Sequence, residues 1–270
     1  MLRPRIIPCL LVKNGGLVKT TQFDKPKYVG DPINTVRIFN EKEVDELIVI
    51  DIDATAENRE PNYALIQALA AECRMPLCYG GGVKTLDQIQ RIVGLGVEKV
   101  AISSAAIDFP ELISQAALRI GSQSVVVVAD VRKTGLFRRY EVFTHNGGRG
   151  TGLNPVELAR KVEKLGAGEV VINSIENDGL MKGYDLDLIA QVRDAIHLPI
   201  TALGGAGSRD DLIGLFRRFG TIGAGAGSLF VFKGKYRAVL ISYPSRAEKE
   251  GLLEPVMGLL PRSGPSVGLG

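Results

Sequence analysis

The chain has 270 residues, of which 45% are apolar, and a formal net charge of +3. That supports a sizeable core, and the dispersed basic residues form no stripe for nucleic acid. Three cysteines, Cys9, Cys73 and Cys78, give no disulfide framework, and no C-x-x-C pair points to zinc or another metal.

Each cysteine falls in or beside an apolar run, as a small buried hydrophobe would, and a reduced cytoplasmic setting fits them. The opening "MLRPRIIPCLLV" only imitates a signal peptide, because "KNGG" follows in place of a small-residue cleavage site. No stretch reaches the ~18 apolar residues of a membrane span. The expectation is a cytoplasmic protein with no membrane contact, no nucleic-acid partner and no cofactor.

Short β-branched runs alternate with amphipathic stretches along the chain. The predicted strands are Ile6–Val12, Glu46–Asp51, Leu77–Tyr79, Lys99–Ser103, Val125–Val131, Glu169–Asn173, Ile200–Leu203 and Ile222–Gly225. Their near-continuous hydrophobicity predicts burial on both faces. The intervening "NTVRIFNEKEV", "YALIQALAAEC", "TLDQIQRIVGLG", "FPELISQAALRIG", "PVELARKVEKLG", "DLDLIAQVRDAI" and "RDDLIGLFRRFG" carry helical patterns, and several close on glycine. "KGKYRAVLISYPSRAEKEGLL" is read as the last helical region, ending a domain of residues 1–253. Residues 254–270, rich in Gly and Pro and without periodicity, read as a disordered extension.

Eight alternations argue for an α/β protein with a (βα)8 TIM barrel; a doubly wound sheet is the alternative. An internal repeat favours the barrel. "ELIVIDI" matches "EVVINSI", and "MPLCYGGGVKTLDQI" matches "LPITALGGAGSRDDL". The opening "RIIPCLLVKNGGLVK" matches "SVVVVADVRKTGLFR", with Leu11 in the column of Asp130. The offset stays near 120 residues, so two duplicated (βα)4 halves would close one barrel.

Barrel sites lie at the C-terminal strand ends, with phosphate often held after strands 7 and 8. Gly204 and Gly205 follow strand 7, and Gly227 and Ser228 follow strand 8. The repeat places Gly81 and Gly82 after strand 3, and Ser103 and Ser104 after strand 4. Two matched loops on opposite sides would suit a small molecule phosphorylated at both ends. Asp130, at the end of strand 5, is a candidate general acid or base. Strand parity then turns Arg5, Glu46, Lys99 and Glu169 inward at the opposite end of the barrel. Two cations and two anions could then pair across the barrel floor, as a salt-bridge ring that seals the base.

Together these residues resemble the HisF family, the cyclase subunit of imidazole glycerol phosphate synthase. The resemblance covers about residues 1–250 and is carried by "RIIPCL", "GDP", "DELIVIDI", "GGGV", "GSQSVVV", "NDGLMKGYD" and "GGAG". It implies a HisH-like glutaminase docked at the N-terminal barrel face, with ammonia passing through the barrel to the mouth. It implies that Arg5, Glu46, Lys99 and Glu169 gate that ammonia, and that Lys19 is a flexible first-loop lysine. Asp51, Asp178 and Gly179 match mouth positions of the substrate site. The family uses two aspartates as acid and base; Asp130 matches one, and Leu11 stands in place of the other. Asn173 and Leu203 stand where the family carries small hydroxyl residues.

Within the family, "IPCLLVKNGGLVKT" and "YVGDPINTVRIFNEKEVDELI" resemble HisF-like proteins of acetamidino sugar modification in surface polysaccharides. That resemblance implies ammonia supply to a separate sugar amidotransferase, which turns an acetamido group into an acetamidino group. The alternatives are a working cyclase of histidine biosynthesis and a non-catalytic scaffold that activates a glutaminase. The cyclase would turn the phosphoribulosyl-formimino-AICAR-phosphate substrate plus ammonia into imidazole glycerol phosphate and AICAR. His145, in a mouth loop, and His197, below strand 7, have no ligand-spaced partner. Tyr140 and Arg149 lie near the mouth as possible substrate contacts.

Overall fold

The computed structural model describes residues 3–257. Eight parallel strands close on themselves: β1 (Arg5–Lys13), β2 (Leu47–Asp51), β3 (Leu77–Gly80), β4 (Lys99–Ile102), β5 (Val125–Thr134), β6 (Glu169–Ser174), β7 (Ile200–Leu203) and β8 (Gly223–Ala226). β1 pairs with β2 and β8, and β5 pairs with β4 and β6, so the ladder has no free edge. Helices α1 (Pro32–Glu41), α2 (Tyr63–Glu72), α3 (Leu86–Gly94), α4 (Glu111–Ile120), α5 (Pro155–Lys164), α6 (Leu186–Arg193), α7 (Arg209–Phe219) and α8 (Arg246–Met257) follow in turn. The expected (βα)8 barrel is the fold found.

The helices start where side chains satisfy their free amides. Asp31 accepts from the Asn34 amide at 2.8 Å, with Pro32 opening α1. Thr85 with Gln88, and Ser208 with Asp211, form reciprocal capping boxes on α3 and α7. Those two boxes occupy matching positions of the sequence repeat.

The structure departs from the sequence reading in two places. The strands expected to end at Val12 and Val131 run on to Lys13 and Thr134, and both turn back as hairpins. β1 pairs antiparallel with Gly16–Thr21, which pairs with Asp24–Gly30, and β5 pairs antiparallel with Arg139–Thr144. The first turn is the dipeptide Asn14-Gly15, with φ of 49° and 76°, the positive values a two-residue hairpin loop requires. The region read as the last helix also divides. Phe232–Lys233 and Ala238–Val239 pair around a turn with Gly234 at φ 74°, and α8 begins only at Arg246. α8 crosses the boundary expected at 253/254, and residues 258–270, read as disordered, lie outside the described residues.

Two apolar layers result. Phe39, Tyr79 and Phe216 belong to the layer between sheet and helices. Ile7, Cys9, Ile48, Cys78, Ala101, Val126 and Val171 fill the barrel, with Leu11, Ile50, Val128 and Leu203 packed above them. The inward parity predicted for β1, β2, β4 and β6 is the observed one.

The matched glycines have a packing reason. Gly81 (φ 117°) and Gly204 (φ 90°) each lie against the carbonyl that ends the preceding strand, Asp51 and Ser174 respectively. A Cβ at either position would collide with that oxygen. Gly81→Ala and Gly204→Ala should therefore each cost about 2 kcal/mol or more in urea unfolding. Gly214→Ala, in α7 with no neighbour within 4 Å of the added carbon, should be neutral or stabilising.

Candidate functional site

At the N-terminal end of the barrel the four predicted charges meet in one ring. Arg5 donates through Nη1 to Glu46 and through Nη2 to Glu169 Oε1 at 2.7 Å. Lys99 Nζ donates to Glu46 Oε1 at 2.7 Å and to Glu169 Oε2 at 2.9 Å. The carboxylates are buried, while the Arg5 and Lys99 side chains keep 24% and 18% of their exposure. Burial alone would lower the proton affinity of both cations; Glu169 and Glu46 more than reverse it, and both are raised. Burial pushes Glu169 up, but Arg5, Lys99 and a hydrogen bond from Thr201 bring it below the ordinary range.

Above the ring a cavity of about 650 Å³ opens at the C-terminal mouth. It reaches down to Ile48, Ala101 and Val171, each two residues along the chain from a ring member. At the rise of a strand that leaves roughly 7 Å between cavity floor and ring. Cys9 and Cys78 also face it. Burial pushes the Cys9 thiol up to about 11 and raises Cys78 well above the ordinary thiol range, so both behave as the small neutral groups expected. Cys73 is half-buried away from the cavity.

Apart from Tyr140 and Arg149, the mouth residues singled out in the sequence line this cavity. Asp130, on β5 four residues before its end, accepts from Asn173 Nδ2 at 2.8 Å. Burial raises its carboxyl to about 6, the Asn173 bond opposing and Asp178 adding to the rise. Asn173 Oδ1 is buried with no hydrogen-bond partner among the described residues. Leu11 faces the same cavity from β1, four strands away and so across the barrel, amid Ile50, Val128 and Leu203.

The first hairpin folds over this mouth. Lys19, implied to be flexible, sits on the strand Gly16–Thr21, buried, with Nζ bonded to the Cys9 carbonyl. Burial lowers its proton affinity, although Asp178 works against that. The amine has room because Gly227 carries no side chain there. Asp178 clips the hairpin down. It accepts from Thr20 Oγ1 at 2.7 Å and from the Phe23 amide at 3.4 Å, and its carbonyl takes the Gln22 amide. Burial leaves its carboxyl raised.

Asp51 is committed locally, capping the short helix Ile52–Ala56 by accepting from the Asp53 and Ala54 amides. Ser103 and Gly227 open two further short helices, Ser104–Asp108 and Ser228–Val231, with similar backbone angles (−117°, −85° and −104°, −72°). The two halves of the barrel thus present matched loops to the cavity. Sequence reasoning missed Thr20, Phe23 and Asn146 as lining residues. Asn146 reaches across to the Ile52 carbonyl, and His145 beside it also lines the cavity. Tyr140 and Arg149 do not; they bond Asp185 and Asp108. His197 lies outside, its amide on Glu163.

Among the described residues no group of three or more His, Cys, Asp or Glu converges on a metal site. No described helix is long and apolar enough to cross a membrane.

The raised Asp130 has a stability consequence. An acid whose folded pKa exceeds its unfolded value favours folding below the unfolded value, and that contribution is lost as pH rises through about 6. Asp130→Asn removes the cost of the buried charge and keeps the bond from Asn173. It should stabilise the protein by up to about 3 kcal/mol at pH 8, with the gain vanishing near pH 4, in urea unfolding across that range.

The comparisons agree with this geometry. A family described as histidine biosynthesis protein matches residues 5–237. The chain is 56% identical over 252 residues to the "Putative imidazole glycerol phosphate synthase subunit HisF" of Leptospira interrogans, covering 93% of this chain and 99% of that protein. It is 53% identical over 254 residues to a corresponding subunit of Vibrio vulnificus, covering 94% and 98%. It is 41% identical over 230 residues to the imidazole glycerol phosphate synthase subunit HisF of Lactococcus lactis subsp. lactis, covering 85% and 89%. A closed eightfold barrel with a complete charged floor, matched mouth loops and relatives this close place the chain in the HisF family of histidine biosynthesis proteins.

Proposed function

We propose that this chain is the synthase subunit of a glutamine-dependent amidating system, taking ammonia in at its floor and releasing it at its mouth. One observation carries the reading: a complete ring of Arg5, Glu46, Lys99 and Glu169 stands below a mouth where Leu11 occupies the repeat position of Asp130. Two buried carboxylates paired with two part-buried cations are a poor device for stability, since apolar side chains of similar volume do as well. Their use lies in passing something small. The apolar column above them suits neutral ammonia and disfavours ammonium, which would have to shed its water.

On this reading a HisH-like glutaminase docks at the N-terminal face, where Arg5 and Lys99 keep part of their exposure. A phosphorylated small molecule lies between the matched loops of Gly81, Gly82, Ser103 and Ser104 and of Gly204, Gly205, Gly227 and Ser228. Lys19, Asp51, Asn173, Asp178 and Gly179 complete its walls. The acceptor of the ammonia is a separate amidotransferase that converts an acetamido to an acetamidino group on a surface-polysaccharide sugar. That finer assignment rests on the resemblance of the first and second βα segments to HisF-like proteins of such systems.

A second reading has one observation in its favour. Asp130, at about 6, is poised to exchange a proton near neutral pH, as ring closure to imidazole glycerol phosphate demands. Incubating the purified protein with ammonium salt and the cyclase substrate separates the two. Turnover about two to four orders of magnitude below an ordinary cyclase is expected, because one acid–base group is missing. Leu11→Asp should recover part of it. Turnover equal to an ordinary cyclase would sink the amidation reading. In the reconstituted complex, Asp130→Asn should depress product formation; no change would mean that the barrel only activates its glutaminase.

A further inference from the structure

We infer that Thr201 is a positioning residue of the floor ring, holding Glu169 as its fixed corner. Thr201 lies on β7, fully buried, and donates Oγ1–H to Glu169 Oε1 at 2.5 Å. The same oxygen takes Arg5 Nη2 at 2.7 Å, while Oε2 takes Lys99 Nζ at 2.9 Å and Arg5 Nη1 at 3.2 Å. Both oxygens of Glu169 are therefore held, by donors from β1, β4 and β7. The described side-chain bonds to Glu46 come from Arg5 and Lys99 alone, one to each oxygen.

A second feature protects this bond. Thr201 is in register with Gly223, which is in register with Arg5. A Cβ at Gly223 would collide with Thr201 Oγ1. The missing side chain on β8 thus keeps the space the hydroxyl needs. Valine would fill the position on β7 equally well, and a buried hydroxyl without a partner is a cost. Its use is the bond it makes.

The consequence for passage rests on the ammonia reading above. A ring with one corner held by four donors and the other by two opens at the weaker corner. Arg5 and Lys99 can part from Glu46 while still bonded to Glu169, so the ring need not be dismantled for a small neutral molecule to pass.

The test is a carboxyl titration by 13C NMR on the full chain labelled at glutamate, with the Glu169 signal assigned by its loss in Glu169→Gln. The charged and titratable groups facing Glu169 are Arg5, Lys99, Glu46 across the ring and the Cys78 thiol. A hydroxyl that donates to the ionised carboxylate holds its pKa down, so removal raises it. Thr201→Val should raise the Glu169 midpoint by roughly 0.5–1 in pH, and Thr201→Ser should restore the wild-type value. If Thr201→Val does not fold, Gly223→Ala displaces the same hydroxyl from the other side and should give the same upward change. An unaltered Glu169 midpoint in the folded variant, or a change that serine fails to reverse, overturns the assignment. The titration needs no glutamine, ammonia or partner, so its outcome is independent of the turnover test.

Discussion

Alternation on a closed parallel sheet is the constraint on which the rest of this protein depends. When eight strands close, every second side chain points into one shared column with no solvent at its side. Position along a strand then becomes depth in the column. Arg5, Glu46, Lys99 and Glu169 reach the same depth from four strands and can satisfy one another only because the register puts them there. One residue of slip on any of these strands would send its charge into the layer under the helices, among residues such as Phe39 and Phe216.

The same constraint explains what was legible in the sequence. Period-two reading of β1, β2, β4 and β6 found both ends of the column, because a charge inside an apolar run is conspicuous. It passed over Thr201, since a threonine in "PITAL" looks like any β-branched strand residue. Its companion Gly223 sits in "GAGAG", where every other residue is glycine and none stands out. The hairpins beyond β1 and β5 were missed for a different reason. Asn14-Gly15 is a recognised turn signal, but the flanking "LVKT" does not alternate cleanly, and the pairing that stabilises it lies outside the barrel. The matched glycines were found but only half understood. Their positive φ and their contact with strand-end carbonyls suffice to explain them, so they mark the loop geometry first and any ligand second.

Leu11 sets the character of the β1 side of the mouth. With Ile50, Val128 and Leu203 it carries the apolar lining of the column up to the level of Asp130 and Asn173. Polar atoms at that level gather around β5 and β6, and the β1 side offers none from its inward leucine. Asp130 feels this directly. Apart from the Asn173 amide, little near it rewards ionisation, and its carboxyl is displaced toward neutrality.

The hairpin clipped by Asp178 has a mechanical side. Lys19 and Thr20 are neighbours on one strand, yet one sends its amine into the cavity and the other anchors the strand to the loop after β6. The strand cannot lift at Thr20 and leave Lys19 behind. Lifting this hairpin off the mouth would therefore also withdraw a cation from it, so on this side of the barrel aperture and charge are coupled.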